Sequence, residues 1–434
     1  MGVRIQKALF KLWHILFTLM FMLLVAPFLW ILVRLSIRQQ PAEPRVVFGS
    51  TPIINSKYHS LALRQMGVDS ITVVRGWYSN INQRNDFDIV FGTADASFSF
   101  WHRIYVLLLE DYFIFTRLLW ERNVFFYYFD GFYFLHSGVM RWFEIPVLKL
   151  LRKKVIATHY GSDITVTSDT HDILRKYVTV RQYPRMVLNE WDTRQQIKHF
   201  THLADAIIAG GPLGVDYLSR IDFLCATHLC LDEKKWVANY GPPRIVGQPM
   251  RVLHAPNHPL IKGTKFLLQA IDRLKKEGLN IELVLLERVQ NEEVRRQMFL
   301  CHVVAEQFIM GWHGLNAVEG MACGKPVLSF LREDLRKLYT LFSFAGECPI
   351  VNTAVEMIEE NLRKLYYHPE LCEELGRLGR VYVEKYHSLE AMGGFLEGVI
   401  YQVLYGKKFD MEAHWEKRRA LGPADSSVQR VSER

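Results

Sequence analysis

The sequence has fewer than half as many charged residues as hydrophobic ones and has no Cys-x-x-Cys pair, and both features exclude some classes of protein. Charged residues fill 23% of the 434 positions, whereas hydrophobic residues fill 50%. This balance excludes wholesale disorder and supports a sizeable buried core. The six cysteines are scattered along the chain, which argues against a disulfide framework and a cysteine-based metal site. We therefore expect reduced thiols, as in a cytoplasmic compartment.

Positive charge exceeds negative charge, but there is no long basic tract. The formal net charge is +8, and residues 141–200 hold eleven Lys or Arg against six Asp or Glu. Nucleic acid, anionic lipid and nucleotide phosphates would all suit such an excess, and a solvated surface is the simplest alternative. The sequence has no homeodomain, zinc-finger or RNA-recognition signature, so we expect no nucleic-acid partner.

A long apolar run lies near the N-terminus. Residues 12–33 carry no formal charge, and at ~1.5 Å per residue a helix there would span ~33 Å, about the thickness of a bilayer core. Trp13 and Trp30 lie near its ends, where interfacial indoles are favoured. A cleaved signal peptide is less consistent, because the run is long and no Ala-x-Ala site follows it. We predict a transmembrane helix, with an in-plane helix bent at Pro27 as the alternative.

Beyond this run, the pattern predicts two α/β units. Apolar runs at 45–50 and 70–75 flank a helical pattern at 56–66, and this spacing is typical of a parallel sheet. A Pro- and Gly-rich stretch at 241–249 indicates a linker, after which a new strand–helix series begins. The predicted divisions are a membrane anchor and linker at 1–44, a first Rossmann-like domain at 45–245, a second at 246–390, a terminal helix packing back on the first domain at 391–408, and a polar, mobile tail at 409–434.

The first motif of the second unit connects a strand to a helix. Residues 256–264 (PNHPLIKGT) therefore lie at the carboxyl edge of the predicted sheet, where ligands bind. His258, the cation of Lys262, the flexible Gly263 and the N-terminus of the next helix suit a diphosphate. Thr264 is the predicted cap of that helix. An ordinary surface loop is the structural alternative.

The second motif is residues 311–327 (GWHGLNAVEGMACGKPV). Its small residues allow close packing or the approach of backbone to a ligand. The backbone amides of Gly314, Leu315 and Asn316 would meet an anion at a helix N-terminus. Glu319 follows about one turn later and can accept hydrogen bonds from two ribose hydroxyls. Alternatively, Glu319 is only an acid favoured by the helix dipole.

Residues 319–327 (EGMACGKPV) closely resemble the Glu-Ala-Met-Ala-x-Gly-x-Pro-Val signature of retaining GT-B glycosyltransferases of the family 4-like group. In that family the glutamate, here Glu319, holds the donor ribose, and a donor-phosphate loop precedes it, as residues 256–264 do here. The resemblance implies a GT-B fold, in which two Rossmann-like domains face each other across a cleft. The chain departs from the family pattern at one position. Many family members have a second glutamate where this chain has Gly311, and Glu306 is out of register with that position.

The first half of the chain adds to the resemblance. Residues 142–164 look like bacterial members of the group, whose strand ends in a His-Gly-Ser-Asp loop. The loop histidine is Tyr160 here, and His159 either replaces it or points into the core. The resemblance covers residues 45–405 and leaves out the anchor and the tail.

The resemblance implies that a sugar is transferred with retention from a nucleotide-sugar donor to an acceptor, without a cofactor or a bound metal. The residues expected to take a catalytic part are Glu319, Lys262, Asp163 and His159. Donor contacts are expected from His258, Lys262, Gly263, Gly314, Leu315, Asn316 and Glu319. Acceptor contacts are expected from Gly49, Ser50, His136, Ser137, Gly138 and Gly161.

The predicted anchor places the acceptor near a membrane. We expect a polysaccharide, a lipopolysaccharide or a lipid-linked glycan as acceptor, and membrane lipids as a further partner. Because the donor is expected to be a cytoplasmic nucleotide sugar, the body should face the cytoplasm at the cytoplasmic membrane. A nucleotide-sugar epimerase on the same fold is one alternative, although it needs no anchor. A catalytically silent scaffold is another, suggested by Gly311.

Overall fold

Two parallel β-sheets, each accompanied by helices, form the body of the protein in the computed structural model. The structure describes residues 16, 20, 31, 43–79, 82–93, 99, 105–106, 109–134, 140–226, 228–241, 244–342 and 345–421. The prediction of an α/β fold with two parallel-sheet units is confirmed.

The first sheet has seven parallel strands in the order β3-β2-β1-β4-β5-β6-β7. These strands are β1 (Arg45–Ser50), β2 (Asp69–Arg75), β3 (Ile89–Phe91), β4 (Val124–Tyr128), β5 (Lys154–Thr158), β6 (Ala206–Ala209) and β7 (Phe223–Leu224). The middle strand β4 has the sequence VFFYY and is buried at every position. A parallel sheet is covered on both faces, which is why this strand shows a continuous apolar run instead of alternation.

Helices connect the strands of the first unit. They are α1 (Ile54–Gln65), α2 (Glu110–Glu121), α3 (Glu144–Leu150), α4 (Ile173–Gln182), α5 (Pro184–Leu203) and α6 (Gly211–Tyr217). The side chain of Asp172 caps α4 by accepting a hydrogen bond from the backbone N–H of Arg175 at 2.7 Å. Tyr183 alone separates α4 from α5, which begins with Pro184 at a position where no amide donor is needed.

The second sheet has five parallel strands in the order β12-β11-β10-β8-β9. These strands are β8 (Met250–His254), β9 (Ile281–Leu285), β10 (Val303–Gln307), β11 (Val327–Ser329) and β12 (Val351–Asn352). The helices that follow in the chain are α7 (Pro259–Lys262), α8 (Thr264–Lys276), α9 (Asn291–Leu300), α10 (Leu315–Ala322), α11 (Glu333–Phe342), α12 (Ile358–Tyr367), α13 (Pro369–Tyr386), α14 (Leu389–Tyr405) and α15 (Met411–Arg419).

The carboxyl ends of the two sheets face each other. The hydroxyl of Tyr339 donates a hydrogen bond to the carbonyl oxygen of Gly211, which follows β6, at 3.4 Å. Arg332, which follows β11, forms an ion pair with Asp216 of α6 at 2.7 Å. The loops that carry ligands in open α/β sheets therefore meet between the two units.

Helix α14 returns from the second unit to the first and packs on α1. A Cβ added at Gly393 would lie 2.7 Å from the carbonyl oxygen of Ala62, so a side chain is excluded at this crossing. The hydroxyl of Ser388 caps α14 by accepting from the backbone N–H of Ala391 at 3.2 Å. This helix joins the cores of the two units into one cluster of buried apolar residues.

The prediction of a mobile tail at 409–434 was wrong for residues Met411–Arg419, which form α15. Trp415 is buried, and its ring stacks on Phe395 with centroids 5.6 Å apart. Asp410 caps the helix by accepting from the backbone N–H of Ala413 at 2.9 Å. Burial of one large aromatic side chain outweighs the polar composition of this segment.

One smaller prediction was also wrong. Gly263, and not Thr264, stands at the N-cap of α8. The hydroxyl of Thr264 instead bonds to the ring of His254 at 2.8 Å, which the local sequence could not indicate.

Most of the predicted transmembrane segment at 12–33 lies outside the described residues; Leu16, Met20 and Ile31 within it are helical and exposed. Within the part of the chain that the structure describes, no helix has both the length and the apolar character that crossing a bilayer requires. The N-terminal anchor stays a prediction.

Candidate functional site

A buried ion pair lies at the carboxyl edge of the second sheet. Lys262 is the last residue of α7, and its ammonium contacts one carboxylate oxygen of Glu306 on β10. The side chain of Glu306 is 0% exposed, and its other oxygen accepts a hydrogen bond from the hydroxyl of Ser329 at 3.0 Å. A buried carboxylate requires such partners, so Glu306 fixes the position of the Lys262 cation.

The N-terminus of α10 lies beside this ion pair. A Cβ added at Gly314, the N-cap residue, would lie 3.0 Å from a Glu306 oxygen and 3.4 Å from the Lys262 nitrogen. Gly314, Leu315 and Asn316 are all partly exposed. A lysine cation and the free amides of a helix N-terminus are thus adjacent, and both attract an anion.

Glu319 is buried in the middle of α10. Burial raises the pKa of its carboxyl to about 8, although a hydrogen bond from the Asn291 side chain acts in the opposite direction. Burial, and then the charge of Glu319, raise the pKa of Tyr58 on α1, so the Glu319 carboxyl lies near the first unit.

The loop before Lys262 contacts the first unit. The ring of His258 packs edge-on against Tyr183, with centroids 5.1 Å apart. The backbone N–H of Leu260 donates to the side chain of Gln182 at 3.2 Å. Gly263 has a φ of 78°, and a Cβ there would lie 3.3 Å from Phe308, so both the turn and the packing favour glycine.

Two carboxylates lie close together at the carboxyl edge of the first sheet. Asp163 accepts backbone N–H bonds from Phe129 at 3.2 Å, Tyr160 at 3.1 Å and Gly161 at 2.8 Å. Burial, and then the charge of Asp130, raise the pKa of Asp163. Asp163 therefore holds this loop in place, and Gly161 belongs to the loop.

Asp130 was missed by the sequence analysis. It follows β4 and accepts hydrogen bonds from the hydroxyls of Thr51 at 2.9 Å and Tyr160 at 2.6 Å. Burial raises the pKa of its carboxyl. The sequence signal that could have identified Asp130 is an acidic residue just after a buried strand, because ligands bind at that end of the strands in a parallel sheet.

Two of the predicted acceptor residues serve the packing of the first unit. A Cβ added at Gly49 would overlap the hydroxyl of Tyr133. The hydroxyl of Ser50 donates to the carbonyl oxygen of Phe132 at 2.7 Å. The other predicted acceptor residues, His136, Ser137 and Gly138, lie outside the described residues.

His159 is buried at the end of β5. Its Nε2 accepts a hydrogen bond from the backbone N–H of Gly210 at 3.3 Å, and its ring lies 5.7 Å from that of His228. Burial lowers the pKa of His159 to about 3. The neutral ring is held among groups of the first unit, and its catalytic role stays a prediction.

An arginine occupies the space next to Gly311, where many members of the resembled family have their second glutamate. Gly311 has a φ of 87°, and a Cβ there would lie 2.6 Å from the side chain of Arg332. Arg332 also pairs with Asp216 of the first unit and with Asp334. This cation could not be recognised from the local sequence, because it lies 21 positions after Gly311.

Among the described residues, no group of three or more His, Cys, Asp or Glu side chains could hold a metal ion. An Asp-x-Asp sequence at Asp86 and Asp88 is used in ion pairs, with Lys57 and Arg64 respectively. That the reaction requires neither a metal nor a cofactor stays a prediction.

Comparisons with known proteins bear on the fold. No protein-family model matches the chain, and no curated protein matches its sequence. Among solved structures, sucrose-phosphate synthase from Thermosynechococcus elongatus is similar at a TM-score of 0.53 and 13% identity, covering 84% of this chain and 100% of that one. An Anabaena protein in complex with UDP-glucose has a TM-score of 0.51 and 10% identity, covering 82% and 99%.

A glycosyltransferase from Rickettsia africae is similar at a TM-score of 0.51 and 11% identity, covering 84% of this chain and 100% of that one. Each of these matches covers more than four fifths of this chain. The chain therefore has the two-domain GT-B fold found in glycosyltransferases.

Proposed function

We propose that the protein is a glycosyltransferase that moves a sugar from a nucleotide-sugar donor to a membrane-proximal acceptor, with retention of the anomeric configuration. The observation that carries this proposal is the Lys262 cation held by buried Glu306 beside the N-terminus of α10. This cation lies at the carboxyl edge of one parallel sheet and faces the carboxyl edge of the other. A GT-B glycosyltransferase would hold its donor between these two edges.

On the donor side, the diphosphate is the leaving group. The bond between the sugar carbon and the diphosphate oxygen breaks, and negative charge develops on that oxygen. Lys262 and the amides after Gly314 would stabilise it without reorganising. Glu319 would hold the donor ribose, and His258 and Gly263 would shape the loop.

On the acceptor side, a hydroxyl of the acceptor forms the new bond to the same face of the sugar carbon. Its proton would pass to the departing diphosphate, so no protein nucleophile is needed. Asp130 would orient the acceptor hydroxyl, and the hydroxyls of Thr51 and Tyr160, which fix its position, support this role. Asp163 would act by holding the loop that carries Tyr160.

The proposed acceptor class and location rest on the N-terminal segment. We propose a polysaccharide, a lipopolysaccharide or a lipid-linked glycan as acceptor, and a body held on the cytoplasmic side of the membrane by residues 12–33. The apolar length of that segment supports attachment to a membrane, and a cytoplasmic nucleotide-sugar donor would require the body to be on the cytoplasmic side.

The test is sugar transfer by the full chain with UDP-glucose as the first donor, because a protein of similar fold is in complex with it. Glu319→Ala should reduce turnover at least tenfold while circular dichroism shows a folded protein. Lys265→Ala, an exposed lysine on α8, is the control that should retain activity. Unchanged turnover in Glu319→Ala would contradict the site assignment. An epimer formed without transfer would favour the epimerase, and binding without turnover would favour the silent scaffold.

A further inference from the structure

An exposed apolar surface lies on the two helices α4 and α5 of the first unit. Ile173 is 83% exposed, Leu188 81%, Trp191 71% and Tyr177 59%. Large apolar side chains are seldom exposed together on a soluble monomer unless the surface meets a partner or a membrane. We refer to α4 and α5, residues 173–203, as the hairpin.

The exposed apolar residues recur with the same spacing on both helices. Ile173, Leu174 and Tyr177 are at i, i+1 and i+4 of α4, and the same spacing places Val187, Leu188 and Trp191 on α5. Residues at these offsets lie on one side of a helix. The opposite sides of the two helices are buried, and they include Val178, Thr179, Ile197 and Phe200.

Hydrogen bonds and an ion pair tie α5 to the segment that leads into α4. Glu190 of α5 accepts a hydrogen bond from the hydroxyl of Thr167, which precedes α4, at 2.6 Å. Arg194 pairs with Asp169 of the same preceding segment at 2.7 Å. The middle of α5 therefore lies close to the residues that precede α4.

The hairpin is also basic. Residues 173–203 contain six Lys or Arg and two Asp or Glu, which gives a net charge of +4. Arg181, Arg185 and Lys198 are exposed, and they form no ion pair with any residue that the structure describes. Indole, leucine and isoleucine beside unpaired cations are the combination that binds an anionic lipid surface in its interfacial plane.

The hairpin borders the cleft. The last residue of α4, Gln182, accepts the backbone N–H of Leu260 in the loop that carries Lys262. Tyr183, between the two helices, contacts His258 of the same loop. A bilayer that touched the hairpin would therefore lie near the mouth of the cleft.

We propose that the outward face of the hairpin docks on an anionic lipid bilayer and holds the cleft close to a membrane-embedded acceptor. The second half of this statement rests on the proposed function, whereas the docking itself does not. The N-terminal segment would supply tethering, and the hairpin would supply orientation, because a tether alone leaves the body free to rotate.

The test uses the full chain and requires no sugar donor. Leu188→Cys, labelled with the environment-sensitive fluorophore NBD, reports whether the hairpin enters an apolar phase. The matched control is Leu268→Cys on α8, which replaces another exposed leucine on the second unit. The unsubstituted protein gives the background from its own cysteines. Each protein is mixed with vesicles of phosphatidylglycerol or of phosphatidylcholine.

The emission at position 188 should rise and shift to the blue with phosphatidylglycerol vesicles and change much less with phosphatidylcholine, whereas position 268 should not respond. The substitutions Arg181→Gln and Arg185→Gln, added to the labelled Leu188→Cys protein, should lower the ratio of docked to undocked protein about 30-fold. This factor corresponds to about fivefold for each cation removed. Because the readout needs no donor, an inactive enzyme would count against the proposed function and not against docking.

Three results would overturn the proposal. The first is no change at position 188 with phosphatidylglycerol vesicles. The second is an equal response to the two lipids, which would remove the role of charge. The third is a response that follows protein concentration without lipid, which would assign the surface to a second copy of the chain.

Discussion

Replacing Lys262 with methionine removes the cation that contacts a fully buried carboxylate. The Glu306 side chain is 0% exposed, so it would lose its charged partner without gaining water. Breaking a buried ion pair from one side costs about 3–5 kcal/mol, because one charge stays buried and unpaired. We expect Lys262→Met to lower the free energy of unfolding by this amount.

A second substitution separates folding from function. In the double variant Lys262→Met with Glu306→Gln no unpaired charge remains, and the amide can still accept the hydrogen bond from Ser329. Its stability should return to within about 1 kcal/mol of the unsubstituted protein, since neutral replacements of buried ion pairs are often tolerated. Its affinity for UDP should stay low, because the cation is still missing.

Urea unfolding measures stability, and isothermal titration with UDP measures binding. Lys265→Met, at an exposed lysine of α8, is the matched control and should change stability by about 0.5 kcal/mol or less. A cost below about 1 kcal/mol for Lys262→Met would refute the argument, and so would a double variant no more stable than the single one. Recovery of UDP binding in the double variant would refute the role of the cation.

Three further predictions concern other parts of the structure. Burial raises the pKa of Glu319 from 4.5 to about 8, so the folded protein holds its proton more tightly, and stability should fall as the pH rises from 4.5 through 8. Glu319→Gln should remove this component in urea unfolding at a series of pH values, and identical pH profiles would contradict the assignment. Gly393→Ala should cost about 1–3 kcal/mol in thermal unfolding despite the higher helix propensity of alanine, because the new Cβ would lie 2.7 Å from the Ala62 carbonyl oxygen; a raised Tm would be the opposite result. Arg332→Gln should cost about 1.5–3 kcal/mol, seen as a lower urea midpoint, because it removes the charged hydrogen bond to Asp216 at 2.7 Å; an unchanged midpoint would show that this contact does not stabilise the fold.

The sequence alone predicted the local elements and the class of fold. The apolar runs of β1 and β2 and the helical pattern of α1 each lie within a few neighbouring residues, so they are visible without tertiary information. Strand β10 escaped prediction because its short apolar run contains Glu306, a charged residue. Helix α15 was not predicted either, because its packing depends on a single buried tryptophan, Trp415.

The sequence also indicated which loops lie at the carboxyl edge of the second sheet, because the order of strand, loop and helix fixes that edge in a parallel fold. Lys262 was selected on this ground, and Gly314 was selected because its backbone amide lies at a predicted helix N-terminus. Their proximity, less than 4 Å between the lysine nitrogen and a Cβ at Gly314, is a property of the folded chain.

Only the tertiary structure decided which charges meet. Lys262 and Glu306 are 44 positions apart, Asp216 and Arg332 are 116 positions apart, and neither pair follows a local spacing. The hairpin surface likewise depends on which sides of α4 and α5 the rest of the first unit covers. Periodicity is set by neighbours along the chain, whereas burial and pairing are set by neighbours in space, and for this reason the elements could be predicted from the sequence and the contacts of the site could not.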